Sequence, residues 1–271
     1  MRRSLLLLLA VPLAALADEK PIQDNSFLVE EAYNQEDGVV QHINTFQRMR
    51  DTGDWVYTFT QEWPVGGLKH QFSYTLPVVH VADAPDGNRS GIGDIALNYR
   101  YQLVGDGDAK VAIAPRFSVL LPSGSEEHGR GLGATSYQGL VPVSIVLSPS
   151  FVAHSNIGYS WTPRAKDGAG NKADIGAVNL GQSLVWLATE RVNFLVEGIY
   201  AKSQQVSGPG RTRSVETAFV SPGVRWAYNF PSGLQIVPGI AFPIGVGPSR
   251  HQDAVFLYLS FEHPFGKAQA R

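Results

Sequence analysis

The sequence has 271 residues, no cysteine, and 22 basic against 24 acidic side chains. The lack of cysteine excludes a disulfide framework and cysteine-ligated zinc. Since the chain carries no basic block that could displace counterions from a phosphate backbone, we expect no nucleic-acid partner.

The first seventeen residues have the pattern of a secretory signal peptide. Arg2 and Arg3 precede a short apolar run that ends in Ala15-Leu16-Ala17, which predicts cleavage after Ala17 and export of the protein. Removal of residues 1–17 leaves 271 − 17 = 254 residues with a formal charge of 20 − 24 = −4. No later stretch approaches eighteen apolar residues, so the sequence predicts no transmembrane helix.

Residues 18–37 form an irregular N-terminal segment in our prediction, because they carry clustered acids and show no regular alternation. A weak first strand follows at residues 39–50. The second strand is much clearer, since Trp55, Tyr57, Phe59 and Trp63 alternate with more polar residues. We therefore expect the folded body to span residues 38–265, followed by a tail at 266–271.

Residues 91–121 predict the clearest hairpin of the chain. In the first arm Ile95, Leu97 and Tyr99 share one phase of a two-residue repeat, while Asn98 and Arg100 lie on the other. The second arm alternates in the same way, and the Gly-Asp-Gly-Asp run at 105–108 supplies turn residues between them. Each arm keeps an apolar face for about ten residues, which is the length of a tilted strand that crosses a bilayer.

The rest of the chain repeats this unit. Further alternating segments lie at about 72–78, 137–147, 151–161, 174–188, 192–200, 218–228, 234–244 and 255–265. The total is about twelve strands, an even number as closed outer-membrane barrels have.

The connections predict the same architecture. From the second strand onward they alternate between short and long: residues 64–67 short, 82–90 long, 105–108 short, 122–135 long, 148–150 short, 163–172 long, 189–191 short and 203–214 long. Short periplasmic turns and longer external loops have this pattern, which places both chain ends on the periplasmic side. Aromatic residues then fall into two girdles near the strand ends, with Trp63, Tyr101, Phe151, Trp186, Tyr228 and Phe265 at one end and Trp55, Tyr137, Trp161 and Tyr200 at the other.

A soluble, secreted β-sandwich or lipocalin-like barrel is the alternative for such alternation, with its apolar face buried inside. Its polar face would then be a water-exposed surface rich in Lys and Glu. The polar phase here carries only about one charge per strand. We therefore predict an all-β fold: a transmembrane antiparallel up-and-down β-barrel of about twelve strands, in the cell outer membrane and in contact with its lipid.

The few charged residues on the polar phase are the candidates for lining the lumen: Glu62, Asp94, Arg100, Arg116, Glu197, Arg225 and Glu262. They allow two roles, either a constriction that selects solutes by charge or ion pairs that make a narrow barrel rigid. The mixed signs favour the second role, because selection of one ion sign needs one type of charge.

Enzymatic candidates are weak. His154-Ser155-Asn156 contains the residue types of a hydrolase, but His154 and Asn156 share one face of the strand while Ser155 points to the other. The glycine-rich run at 129–133 lacks the following helix that a nucleotide site needs. Glu126, Glu127 and His128 are more typical of a solvated acidic loop than of a cation site. We expect no catalytic residues, no cofactor and no metal ion.

Three segments resemble the meta-pathway phenol-degradation family of outer-membrane proteins: FLVEEAYNQEDGVVQH (27–42), GIGDIALNYRYQL (91–103) and RFSVLLPSG (116–124). The resemblance extends over residues 26–265. It implies passage of small hydrophobic or aromatic compounds across the outer membrane, and it carries no established functional residues.

These observations together predict an outer-membrane channel or transporter for passive uptake of a small-molecule solute. The alternative is a non-conducting barrel with a structural or adhesive role, and a barrel enzyme that acts on lipid is less favoured. The sequence leaves open whether side chains and residues 18–37 fill the lumen, and it does not indicate the oligomeric state.

Overall fold

The computed structural model describes residues 22, 24, 26–84, 87, 89–105 and 108–265. The predicted signal peptide at 1–17 and the predicted tail at 266–271 lie outside the described residues. Of the predicted N-terminal segment at 18–37, residues 18–21, 23 and 25 also lie outside them.

The described residues form sixteen strand segments and one turn of 3₁₀ helix at Gly247–Ser249. None of the helical structure in these residues is long and apolar enough to cross a membrane. The strands are β1 (Val39–Met49), β2 (Trp55–Pro64), β3 (His70–His80), β4 (Ser90–Ile92), β5 (Ile95–Tyr101), β6 (Val111–Ile113), β7 (Arg116–Leu121), β8 (Ser136–Ser148), β9 (Phe151–Lys166), β10 (Lys172–Thr189), β11 (Val192–Gly208), β12 (Arg211–Trp226), β13 (Tyr228–Asn229), β14 (Gln235–Ala241), β15 (Ile244–Gly245) and β16 (Ala254–Pro264).

The sixteen segments make twelve crossings of a closed antiparallel barrel, which confirms the predicted fold. β4 and β5, β6 and β7, β12 and β13, and β14 and β15 are successive pieces of single crossings, each separated by a short break. Pro115 and Pro243 lie in two of these breaks, where a residue without an N–H cannot continue the ladder. The last strand pairs with the first, from Val39 opposite Pro264 to Met49 opposite Ala254, and this closes the cylinder.

Alternation along the strands separates an apolar exterior from a polar interior. On β5 the Leu97 side chain is 48% exposed, whereas its neighbour Asn98 is 5% exposed and faces the lumen. Large apolar and aromatic side chains cover the outside of the other strands in the same way, among them Phe117, Val141, Ile157, Leu184 and Val196. Since this face has no protein cover, its surroundings must be apolar.

We call the end that contains Val39 and Pro264 the terminal end and the opposite end the loop end. At the terminal end the rings of Trp186 and Phe194 stack with centroids 5.5 Å apart. Tyr137 and Trp161 stack at 6.0 Å on the outer surface near the loop end. The outward rings therefore lie near both rims, as aromatic girdles do.

The prediction of long loops at residues 163–172 and 203–214 is wrong. β9 and β10 are joined by residues 167–171, and β11 and β12 by residues 209 and 210 alone. These four strands have 16 to 18 residues, well beyond the roughly 9–11 that cross a bilayer. The strands therefore extend beyond the bilayer, where both faces of a β-ribbon can carry polar residues. Lys202 of β11 and Glu216 of β12 form such a pair across the ribbon, at 3.0 Å. A polar stretch at 163–172 or 203–214 is thus compatible with a strand and does not indicate a loop.

Candidate functional site: the filled lumen

The lumen contains an extended segment of the same chain. We call the described residues 22, 24 and 26–36 the plug. Val29 is 1% exposed and Ala32 is 0% exposed, and most other plug residues are buried as well. Since the plug precedes β1, it enters the barrel at the terminal end and fills that part of the lumen.

Side chains of the wall hold the backbone of the plug. The Glu197 carboxylate of β11 accepts hydrogen bonds from the N–H groups of Leu28 at 2.9 Å and Val29 at 3.0 Å. Asn156 of β9 binds Glu30 twice, accepting from its N–H and donating to its carbonyl, both at 2.8 Å. These bonds replace the strand pairing that an extended segment would otherwise need.

The next part of the plug is held in the same way by strands further round the wall. Ala32 N–H donates to the Ser144 hydroxyl of β8 at 2.8 Å. Gln102, just after β5, accepts from Asn34 N–H at 2.9 Å and donates to the Ala32 carbonyl at 2.8 Å. The Gln71 side chain of β3 accepts from Gln35 N–H at 2.7 Å. The plug therefore follows the inner wall from β11 round to β3.

The start of the plug is fixed through Asp24. Its carboxylate accepts hydrogen bonds from Tyr258 at 2.5 Å and Ser260 at 2.6 Å, both on β16, and from Gln41 on β1 at 2.8 Å. The Arg225 guanidinium of β12 donates to the Asp24 carbonyl at 2.6 Å. Asp24 thus joins the plug to the two strands that close the barrel and to β12.

Phe27 is the apolar anchor of the plug. Its ring packs 5.6 Å from Phe256 and 5.3 Å from Tyr258, measured between centroids. Glycine at positions 223 and 239 makes room for it, because a Cβ would lie 2.6 Å from the ring at Gly223 and 2.5 Å from it at Gly239. Any larger residue there would displace Phe27.

Charged residues meet where the plug crosses β5 and β7. Glu30 pairs with Arg116 at 2.6 Å and lies 3.9 Å from Arg100. Arg100 also donates to the Tyr33 carbonyl at 2.7 Å and lies 3.8 Å from Glu62. The shortest contacts of Arg100 and Arg116 are therefore to the plug, and the distance from Arg100 to Glu62 of the wall is longer.

Six of the seven predicted lumen residues lie on the inner wall in the terminal half of the barrel: Glu62, Arg100, Arg116, Glu197, Arg225 and Glu262. All of these except Glu262 contact the plug or an adjacent wall residue as described above. Glu262, on β16, borders a cavity at the terminal end. The structure does not bring Asp94 to this group.

Asp94 lies in the break between β4 and β5 near the loop end. Its carboxylate accepts hydrogen bonds from the N–H groups of Gly124 at 3.0 Å and Leu132 at 2.9 Å. Gly124 and Leu132 belong to the loop between β7 and β8. Glu126 of this loop pairs with Lys166 of β9 at 3.0 Å. The N–H of its own residue and the Lys166 ammonium lower the pKa of Glu126. Residues 122–135 are therefore fastened to the wall at two points.

The weak enzymatic and metal candidates have structural partners. His154 faces the lumen and is hydrogen-bonded at 2.7 Å to Ser144, the residue that holds Ala32. Ser155, on the other side of the strand, bonds to Gln182 at 2.6 Å. In the acidic loop His128 bonds to Ser125 at 2.6 Å. No group of three or more potential metal ligands occurs within the described part of the chain.

Sequence reasoning missed the neutral partners of the plug. Much of its hydrogen bonding comes from four neutral side chains of the wall: Gln71, Gln102, Ser144 and Asn156. In the sequence these residues do not differ from other polar residues on the lumen face of a strand. One signal was available. The excess of acids in residues 18–37 complements the arginines at 100, 116 and 225, as expected for a segment that folds against them.

The geometry agrees with the comparison of the chain with known families. Residues 25–261 match the family described as the MetA-pathway of phenol degradation. The chain belongs to this family. The match begins at residue 25, in the N-terminal segment, and ends at residue 261, in the last strand of the barrel. The predicted resemblance to this family is therefore confirmed. A comparison with curated protein sequences finds no match.

Two solved outer-membrane proteins have a similar fold. The COG4313 outer membrane channel from Pseudomonas putida F1 is 10% identical, with a TM-score of 0.64 over 86% of this chain and 97% of that one. The NanC porin is 9% identical, with a TM-score of 0.55 over 82% of this chain and 98% of that one. At such low identity the likeness shows the shared barrel fold alone.

Proposed function

We propose that this protein is an outer-membrane channel through which small hydrophobic or aromatic compounds diffuse, without a cofactor and without covalent chemistry. The observation that carries the proposal is the way the plug is held. Wall side chains bind its backbone from residue 28 to residue 35. Such a segment can shift or leave without breaking a ladder of the barrel, so the lumen can open while the wall stays intact.

Fold and family support this role. The closed barrel with an apolar exterior fits the outer membrane, and the similar solved structures are described as an outer-membrane channel and a porin. The family description refers to phenol degradation, a pathway that requires phenolic compounds to enter the cell. Side chains around the plug combine apolar groups such as Phe27 and Phe256 with hydrogen-bonding groups, which suits a small aromatic solute with one polar group.

Flux into liposomes tests the proposal. Purified protein, and a variant without residues 18–36, would be reconstituted and exposed to phenol, to glucose and to an alkane of similar size. We expect entry of phenol through the wild-type protein and faster entry of all polar solutes through the variant. If neither protein raises any flux above empty liposomes, the channel role is wrong.

A non-conducting barrel is the second candidate, and one observation favours it. Most plug residues are buried, so the lumen at the level of the plug is filled in this conformation. The long hairpins β9–β10 and β11–β12 would then serve contacts outside the cell. Flux that appears only after removal of the plug would support this candidate over a resting channel.

A further inference from the structure

The ion pair between Glu30 of the plug and Arg116 of β7 is partly open to the lumen. Arg116 Nη1 lies 2.6 Å from Glu30 Oε1, yet the two side chains are 20% and 26% exposed. Arg100, by contrast, is buried and donates to the carbonyls of Glu31 and Tyr33. Since Glu30 and Arg116 lie inside a closed barrel, their exposed surface faces the lumen. A solute in the lumen can therefore reach this pair.

The wall around Arg116 has hydrogen-bonding capacity that the plug does not use. A guanidinium carries five N–H groups. Glu30 contacts Nη1, and Gln138 of β8 accepts from Nη2 at 3.0 Å. The Nε atom is buried, and no described residue bonds to it. Ser118, two residues further along the same face of β7, is 1% exposed, and within the described residues its hydroxyl also has no partner.

A carboxylate is the ligand that suits this arrangement. Its two oxygens match the planar fork of a guanidinium, which binds carboxylates through two parallel hydrogen bonds. Glu30 has little freedom to adopt that geometry, because Asn156 holds both its N–H and its carbonyl. A free carboxylate has no such restraint. Exchange of one carboxylate for another also conserves the charge beside Arg116, and the displaced Glu30 side chain is already partly hydrated.

Apolar side chains on the inner wall adjoin the arginine. Leu140 of β8 is the cross-strand partner of Arg116, and it is buried. Leu120 follows Ser118 on the same phase of β7 and is half-buried. Hydrocarbon groups beside a charged hydrogen-bonding group are typical of sites for small organic ligands. The body of an aromatic solute can pack against these leucines while its acid group meets Arg116.

We propose that Arg116 binds the carboxylate of a small aromatic acid in place of Glu30, and that this exchange loosens the plug. The inference rests on the proposed channel function and deepens it. It names an anionic class among the aromatic solutes, and it names the residue that recognises them.

Three probes of similar size and different charge test it: benzoate, benzamide and benzylammonium. Binding to the full chain in detergent would be measured by calorimetry. We expect benzoate to bind and the other two to bind at least about tenfold more weakly, the loss expected for one charge-assisted hydrogen bond. Saturating benzoate should also accelerate protease cleavage of the plug near residue 28, whereas benzamide should not.

Two variants should change benzoate binding in opposite directions. Glu30→Gln removes the competing carboxylate and should tighten benzoate binding several-fold without tightening benzamide binding. Arg116→Gln removes the donor and should weaken benzoate binding at least about tenfold. Arg213→Gln, which removes an exposed arginine at the loop end, should match wild type. Glu30 is not part of the barrel ladder, so Glu30→Gln remains a test even if a heat-dependent shift on gels shows that Arg116→Gln fails to fold.

Three results would each overturn the proposal: equal binding of benzoate and benzamide, benzoate binding that Glu30→Gln does not tighten, or cleavage of the plug that benzoate does not accelerate. These measurements are made without flux, so the two proposals fail separately. Benzoate binding to a protein that conducts nothing would refute the channel and retain the site. Phenol flux without a preference for benzoate would refute the site and retain the channel.

Discussion

Segments at the two ends of the barrel are held to the wall in different ways. At the terminal end the plug is bound by side chains from β1, β3, β8, β9, β11, β12 and β16. At the loop end residues 122–135 are fastened by Asp94 and by the Glu126–Lys166 pair. In the proposed channel we therefore expect the plug to be the main resistance to solute passage, so that changes at the terminal end alter conductance more than changes at the loop end.

Removal of the plug should have the largest effect. Deletion of residues 18–36 takes out the buried segment that fills the lumen but no residue of the barrel ladder. We expect single-channel conductance in planar bilayers to rise several-fold over wild type. A deletion of residues 126–131 in the loop is the control, and it should raise conductance much less. Equal conductance after the two deletions would show that the plug is not the main barrier.

The second prediction concerns Glu197, the residue of the wall that accepts hydrogen bonds from the middle of the plug. Glu197→Ala leaves the N–H groups of Leu28 and Val29 without their acceptor, and each buried unpaired donor costs about 1–3 kcal/mol. The plug should detach more often, seen as more frequent openings and faster protease cleavage near residue 28. Glu190→Ala, in the exposed turn at the same end, should match wild type. Unchanged cleavage in Glu197→Ala would mean that the remaining contacts suffice.

The third prediction concerns Phe27. In Gly239→Ala the new methyl group would lie 2.5 Å from the Phe27 ring, and overpacking of this kind typically costs about 1–3 kcal/mol. Openings should increase, although less than in Glu197→Ala, because the backbone bonds of the plug remain. The double variant Gly239→Ala/Phe27→Leu separates the causes. We expect its opening to be less frequent than the sum of the single variants predicts, and an additive or larger effect would show that Gly239 does not act through Phe27.

The barrel itself was predictable because a bilayer demands one simple pattern. Leu97 lies outside and Asn98 inside for the same reason that they alternate in sequence. The ends of β9 to β12 were not predictable, since the alternation loses its meaning outside the bilayer. Residues such as Lys202 and Glu216 suit a loop as well as a ribbon, and only their cross-strand pairing distinguishes the two.

The site was predictable only on the side of the wall. Charges on the polar phase of a strand must face the lumen, which explains why Arg100, Arg116 and Glu197 lie there. Their partners in the plug follow no period, because an irregular segment bonded to side chains has no repeat. Sequence patterns therefore place the residues of the wall, whereas the three-dimensional structure is needed to show what each of them holds.

The smallest effect is expected at the loop end. In Asp94→Asn the side-chain amide can accept a hydrogen bond from Gly124 or from Leu132 but not from both in the present geometry. One lost hydrogen bond at this half-exposed position is worth about 1 kcal/mol. Hydrogen exchange should therefore accelerate in residues 122–135, while conductance stays close to wild type. Glu127→Gln, in the same loop, should change neither quantity. A rise in conductance comparable to that of Glu197→Ala would place a second barrier at the loop end. It would contradict the expectation that the terminal end carries most of the resistance to solute passage.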